Sequence, residues 1–281
     1  MDPARFDCTT TAWYRFAIVS AKPVFLVGVL IFGACSPEEA KHKAAGNVLF
    51  KQRDLDGAAR EYREAIKANP KDANGHTLLA NALFEQGRYD ESRREYGAAL
   101  ALDGKARAAL QGTVMIDLRE KKDDAARATL ERMIANEPRD SEARAALGKI
   151  LYARNDLDGA ERNLREALVY AQNDPSALYT LGLVLAKKKD QDQASVIFDR
   201  LERVTPDKAY APYGRAVAAA ATGRSDEALK QLAVALDRGI EDLDAVERDD
   251  SFAAIRSLPK FAELVAAART RAPPKKGSPG P

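Results

Sequence analysis

From Glu39 onward the sequence matches itself at a step of 34 residues, and that period constrains the fold more than any other feature. Six copies run without insertion as residues 39–72, 73–106, 107–140, 141–174, 175–208 and 209–242. A unit of this length is one supersecondary element that cannot bury its apolar face alone, so it must stack on its neighbours. The eighth place of the unit is Gly46, Ala80, Val114, Gly148, Gly182 and Ala216, and the twentieth is Ala58, Ser92, Ala126, Ala160, Ala194 and Ala228. Small residues at both places fit two antiparallel helices that cross closely, where a large side chain would push them apart. The twenty-fourth place, by contrast, is Tyr62, Tyr96, Leu130, Leu164, Phe198 and Leu232, a large knob for the next unit. Pro70, Pro138 and Pro206 stop the second helix, because proline lacks an amide hydrogen and restricts the residue before it. Alanine is abundant in this chain, so the argument rests on the fixed spacing that keeps large and small places apart.

The segment Ala45-Gly46-Asn47…Ala58…Tyr62…Ala65…Pro70 returns as Leu147-Gly148…Ala160…Leu164…Ala167 and as Leu181-Gly182…Ala194…Phe198…Pro206. These residues resemble the tetratricopeptide (TPR) repeat. The resemblance implies an all-α fold, a TPR α-solenoid in which six helix-turn-helix units wind into a right-handed superhelix with capped ends. The third unit departs most from the pattern, with Val114 and Met133 at usually small places and Asp117 at a usually apolar one, so a distorted helix pair is expected there. Residues 243–272 keep a helical apolar pattern through Phe252, Ile255, Leu258, Phe261, Leu264 and Val265, and are expected to seal the last unit as capping helices divided at Pro259. The Pro/Gly-rich tail 273–281 is expected to be disordered.

Composition narrows the function. The 281 residues carry 44 Lys+Arg against 42 Asp+Glu, a net charge of +2, without the basic surplus that neutralising several phosphates requires, so no nucleic-acid partner is expected. Cys8 and Cys35 both precede the repeats, and His42 and His76 complete the supply of soft ligands, which leaves little material for a metal site or a catalytic dyad. No Gly-rich phosphate loop, serine-centred elbow or paired-carboxylate constellation stands out. Six repeats and a cap occupy nearly all residues after Glu39, and the cap is too short to house a catalytic domain. The expectation is therefore a protein with no enzymatic activity, no cofactor and no metal.

The N-terminal segment has its own logic. Pro23–Ala34 is an uncharged apolar run preceded by Arg15 and Lys22, too short to span about 30 Å of hydrocarbon but of signal-peptide length. It ends on Phe32-Gly33-Ala34-Cys35, which resembles the bacterial lipobox, with Phe32 in place of the usual aliphatic residue. The resemblance implies a signal peptide over 1–34, lipidation at Cys35 and a short linker over 35–38, with Ser36 permitting sorting to the outer membrane. The stretch before Pro23 is long for a positively charged n-region and carries Asp2 and Asp7, which points to an N-terminal extension, with Val19 a candidate initiator. A buried core helix and an uncleaved anchor are the alternatives.

TPR arrays resemble one another in holding an extended peptide or a partner helix on the concave face lined by first helices. Places 2, 5, 9, 12 and 13 there give a polar end with Lys43, Asn47, Asn81 and Phe84. The other end is aromatic and aliphatic, with Lys149, Tyr152, Tyr179, Leu183, Tyr210, Tyr213 and Val217. Tyrosines offer rigid apolar area with one polar handle, suited to peptide capture, although Tyr152, Tyr210 and Tyr213 equally suit packing against a neighbour helix or the cap. Lys43 and Asn47 match the opening pair of the carboxylate clamp of some TPR domains, but Leu78, Ala108 and Gly112 at its remaining places can neither donate to nor neutralise a carboxylate. His42 and His76 share a place in adjacent units and read as solvated or packing histidines. Lys187-Lys188-Lys189 reads as a complement to the negative end of a helix dipole.

The expected function is a lipid-anchored periplasmic scaffold that binds a peptide or helix of an envelope component. A lipobox followed by six units resembles the pilotin lipoproteins that assist type IV pilus secretins. The alternatives are a TPR lipoprotein of cell-wall, outer-membrane or polysaccharide-export machinery, and a cytosolic TPR co-chaperone or regulator.

Overall fold

The computed structural model describes residues 36–240 and 242–271. The expected signal peptide, Cys35 and the tail 273–281 lie outside the described residues. Among those residues the secondary structure is α-helical throughout, with one 3-10 turn and no strand. The helices come in pairs: α1 (Pro37–Lys51) with α2 (Leu55–Ala68), α3 (Ala73–Glu85) with α4 (Tyr89–Leu102), and α5 (Arg107–Arg119) with α6 (Asp123–Asn136). They continue as α7 (Ser141–Ala153), α8 (Leu157–Tyr170), α9 (Pro175–Lys187), α10 (Gln191–Val204), α11 (Tyr210–Ala221) and α12 (Ser225–Asp237). The chain closes with α13 (Leu243–Arg248), the 3-10 turn Asp250–Phe252 and α14 (Pro259–Arg271). α3, α5, α7 and α9 begin at residues 73, 107, 141 and 175, so helix onsets recur in steps of 34.

Two local rules set these boundaries. The three-residue turn inside each pair places its middle residue in the left-handed region: Arg53, Gly87, Lys121, Asn155, Lys189 and Gly223 have φ of 65°, 76°, 58°, 64°, 66° and 72°. A left-handed residue after the C-cap ends a helix by capturing its last carbonyls, and glycine pays least for it. Many of the following helices then open on an N-cap carboxylate: Asp54, Asp72, Asp140, Asp156, Asp174 and Asp190 each accept a backbone amide of the first turn. Pro175 and Pro259 stand at the first position of α9 and α14, where the missing amide hydrogen costs nothing.

The helices form two compact units, one reaching to Ile116 and the other running from Asp117. In the first, α1 packs on α2, α2 on α3 and α3 on α4. Its core is built from Ala58, Ala59, Tyr62, Leu79, Ala82 and Leu83, and then from Ala80, Tyr96, Ala99, Ala109 and Ile116. In the second, each helix from α7 to α12 packs on the next, while the first helices α7, α9 and α11 also lie side by side. The 3-10 turn rests on α11, and α14 covers α12. Phe252, Ile255, Phe261 and Val265 are buried there, whereas Leu258 and Leu264 are half-buried.

The small places do what their size requires. Gly46, Gly148 and Gly182 are buried, as are Ala58, Ala80, Ala160, Ala194, Ala216 and Ala228. A Cβ added at Gly46, Gly148 or Gly182 would stand 2.5, 2.6 or 2.5 Å from Tyr62 Cε1, Leu164 Cγ or Phe198 Cε1, the large knob of the same repeat. The far side of the knob needs space as well. A Cβ at Gly112 would fall 2.0 Å from Tyr96 Cζ, and one at Gly214 would fall 2.5 Å from Phe198 Cε1. Phe198 is thus held between the eighth place of its own repeat and the sixth place of the next. In the third repeat both helices are continuous, and Val114, Asp117 and Met133 are buried. α5 and α6 contain no proline and are rich in Ala, Leu and Arg, so helix propensity carries them past the irregular places.

Candidate functional site

In the first unit the polar residues expected to face a ligand are largely engaged within the chain. Tyr62 Oη donates to Asn47 Oδ1 at 2.9 Å, and Tyr96 Oη donates to Asn81 Oδ1 at 2.6 Å. These bonds are equivalent, joining the knob of the second helix to the ninth place of the first. The side-chain NH2 of each asparagine is left for a partner, and its Oδ1 has one of two acceptor sites taken. Burial pushes the Tyr96 phenol up to about 12 and raises that of Tyr62 as well. Lys43 donates to Glu39 at 2.6 Å and to Asp72 at 3.0 Å. Burial works against its charged form, but these two hydrogen bonds outweigh it and hold its pKa above the ordinary lysine value. Phe84 packs edge-on against Tyr89 with ring centroids 5.3 Å apart.

The two histidines form a second equivalent pair. His42 Nδ1 lies 2.7 Å from Glu61 Oε2, and His76 Nδ1 lies 2.7 Å from Glu95 Oε2. Each imidazole ties the first helix of its repeat to the second. No group of three His, Cys, Asp or Glu side chains able to hold a metal occurs among the described residues.

The second unit gathers the aromatic residues. Tyr152 on α7, Tyr179 on α9 and Tyr213 on α11 are all half-buried, and burial raises the pKa of each phenol. Next to burial, the carboxylate of Asp249 raises Tyr152 and Tyr179 further, so the negative charge of this residue is felt by both rings. Tyr213 Oη donates to Asp249 Oδ2 at 2.6 Å, and its ring meets that of Phe252 edge-on at 5.4 Å. Lys187 Nζ stands 5.4 Å from the centre of the Tyr152 ring, within cation–π range. Lys149, at the ninth place of its repeat, is exposed. Leu183 and Val217 lie deeper than the open lining expected of them, at 9% and 7% exposure, and form the apolar floor. Tyr210, at 52% exposure, is the open member of the set.

Lys188 departs from the helix-dipole reading: its Nζ bridges back to Asp158 at 2.6 Å and Glu161 at 2.7 Å on the preceding repeat. Sequence reasoning missed Asp249 entirely. It follows the last repeat, where the 34-residue register that locates every other candidate no longer applies.

Comparison with known proteins places this architecture. Models of the tetratricopeptide repeat match residues 43–110, 192–242 and 83–150, and a TPR repeat model matches residues 148–189. The chain belongs to the tetratricopeptide repeat family. Its class is the all-α solenoid of stacked helix pairs, a protein-interaction scaffold. A solved tetratricopeptide repeat protein from Parabacteroides merdae is similar at 17% identity and a TM-score of 0.69, over 85% of this chain and 95% of that one. Pseudomonas aeruginosa pilF is similar at 17% identity and a TM-score of 0.62, over 82% of this chain and 97% of that one. YrrB, described as a TPR protein with an unusual peptide-binding site, is similar at 25% identity and a TM-score of 0.56, over 68% of this chain and 98% of that one. No curated protein matches the sequence. Among the described residues of this TPR protein, no helix is long and apolar enough to cross a membrane.

Proposed function

We propose that this TPR protein is a non-catalytic adaptor that captures a segment of a protein partner along the face built by α7, α9 and α11. The observation that carries the reading is the convergence of Tyr152, Tyr179 and Tyr213 around the carboxylate of Asp249, with Leu183 and Val217 beneath them. A face that already orders a turn of the chain's own backbone by a phenol-to-carboxylate hydrogen bond and an aromatic contact has the groups to order a peptide. The peptide-binding site named for YrrB supports a ligand-binding role in a protein of the same fold.

The location of the adaptor follows from its N-terminal sequence. The apolar run Pro23–Ala34 and the lipobox-like Phe32-Gly33-Ala34-Cys35 support export and lipidation at Cys35, with the repeats facing the periplasm from the outer membrane. In that position the lipid raises the local concentration of the scaffold near envelope machinery, and assembly of a type IV pilus secretin is the proposed task. The test has two parts. Metabolic labelling with a fatty-acid analogue should mark the wild type and not Cys35→Ala. A doubly substituted Tyr179→Ala/Tyr213→Ala protein with unchanged helicity should lose the partner recovered with the wild type. Equal labelling of Cys35→Ala would remove the anchor from the account, and equal recovery by the tyrosine variant would remove the face.

A further inference from the structure

Asp249 brings a negative charge to the tyrosine face without a cation to balance it. Its Oδ2 accepts from the Tyr213 hydroxyl at 2.6 Å and its Oδ1 accepts from the amide of Ser251 at 2.9 Å, so both donors are neutral. The nearby arginines are turned elsewhere: Arg256 to the backbone carbonyl of Asp249 at 2.8 Å and to the carboxylate of Asp250 at 3.8 Å, and Arg248 to the carbonyl of Asp244 at 3.0 Å. Among the described residues no lysine or arginine forms an ion pair with the Asp249 carboxylate, which is half-buried. Removing a carboxylate from water is costly until a cation joins it, and each of its oxygens has a second acceptor site.

The groups around this carboxylate suit a cation. Its charge acts on the phenols of Tyr152 and Tyr179, which come from α7 and α9, and these helices lie side by side with α11. The Tyr179 phenol in turn feels that of Tyr152, and the Tyr213 phenol feels that of Tyr179, so the three hydroxyl ends and the carboxylate form one cluster. The Tyr152 and Tyr179 hydroxyls make no hydrogen bond among the described residues. No side-chain oxygen there is both sealed from solvent and unpartnered, so both hydroxyls are reached from outside. Tyrosine rings present a negative face to a cation, and one of the three already does so: Lys187 Nζ stands 5.4 Å from the centre of the Tyr152 ring. Lys187 is itself exposed and in no ion pair among the described residues.

We propose that the Asp249 carboxylate, set among Tyr152, Tyr179 and Tyr213, takes a lysine or arginine side chain from the captured segment of the protein partner. The N–H groups of the incoming cation donate to the second acceptor sites of Asp249, a charge-assisted pair, while its methylene stem lies along the tyrosine rings. Lys187 is the chain's own competitor for the Tyr152 ring. The same carboxylate repels an acidic segment. This inference rests on the reading of the face as a peptide-binding surface and adds the chemistry of its ligand.

The probe is a set of bead-bound pools of short peptides with random uncharged flanks, carrying lysine, arginine, norleucine or glutamate at the centre and offered to the full-length protein. The lysine and arginine pools should retain about tenfold more protein than the norleucine pool, as a hydrogen bond to a charged group does, and the glutamate pool should retain least. Asp249→Asn, which keeps an oxygen to accept from Tyr213 and loses the charge, should erase that preference with helicity unchanged. Lys187→Ala, which clears the Tyr152 ring, should raise retention on the lysine pool about two- to fivefold. Equal retention on the lysine and norleucine pools would overturn the cation site and leave an apolar peptide-binding face standing. A preference for cations that survives in Asp249→Asn would place them elsewhere on the surface and would overturn it as well. If the asparagine releases the turn, seen as faster amide exchange over residues 249–256, Lys187→Ala decides: stronger retention supports the site and unchanged retention overturns it. Retention on no pool would also overturn it, while the partner-recovery test with Tyr179→Ala/Tyr213→Ala judges the face independently.

Discussion

At the scale of single residues, one substitution type has opposite consequences at two places. A Cβ at Gly182 would lie 2.5 Å from Phe198 Cε1, a buried ring between two repeats, so something in the core must shift. Gly182→Ala should cost about 1–3 kcal/mol. Gly97, inside α4, has no atom within 4 Å of the position a Cβ would take, and there Gly97→Ala should stabilise by up to about 1 kcal/mol through helix propensity alone. Chemical denaturation of both variants measures the two effects, and a common sign would contradict the packing assigned to Gly182. The left-handed turn residue gives a second case. Lys121 holds φ of 58°, which glycine adopts without Cβ strain, so Lys121→Gly should gain about 1 kcal/mol. Gly223→Ala at the equivalent turn, with φ of 72°, should lose a comparable amount in the same measurement.

At the scale of elements, the first two helix pairs are joined by polar ties. The Tyr96 hydroxyl joins α4 to α3 through Asn81, as Tyr62 joins α2 to α1 through Asn47. Tyr96→Phe should cost about 1 kcal/mol, the net value of one such bond. The tie also predicts an alkaline limit. The Tyr96 phenol is raised by burial from near 10 to about 12, so the folded state holds its proton more tightly than the unfolded chain. Its contribution to stability is complete below pH 10 and is lost as pH rises through 12. Melting temperatures measured across that window should fall less steeply in Tyr96→Phe than in the wild type, and parallel curves would contradict the linkage. In the later repeats the knobs Leu164, Phe198 and Leu232 carry no hydroxyl, and the ninth place is Lys149, Leu183 or Val217 instead of asparagine. The asparagines of the first unit thus answer to a neighbouring tyrosine as much as to any ligand.

At the scale of the whole molecule, the C-terminal segment seals the last repeat. Phe252 is fully buried between Tyr213 and Phe261, so Phe252→Ala should cost about 3–5 kcal/mol and release the Asp249 turn, seen as faster amide exchange over residues 249–256. Much of the architecture was legible in sequence because its cause is periodic. The small and large places recur at fixed spacing, and in the fold glycines meet knobs at Gly46, Gly148 and Gly182. The opposite side of each knob, at Gly112 and Gly214, was legible in principle, since both hold the sixth place, but glycine at only two of six repeats makes a weak pattern. The tyrosines of the face were found by register. Asp249 was not, because a segment beyond the last repeat has no register to be read in, and its partner in space lies 36 residues away.

The central claim is that the face of α7, α9 and α11 holds a protein partner in the envelope. Photo-crosslinking in living cells from position 179, with position 196 on α10 as a reference, tests it most directly. Val196 is 63% exposed and lies on a second helix, away from the tyrosines. The account predicts capture of a defined envelope protein from position 179 and not from position 196. Capture of cytosolic proteins, or equal capture from both positions, would contradict it.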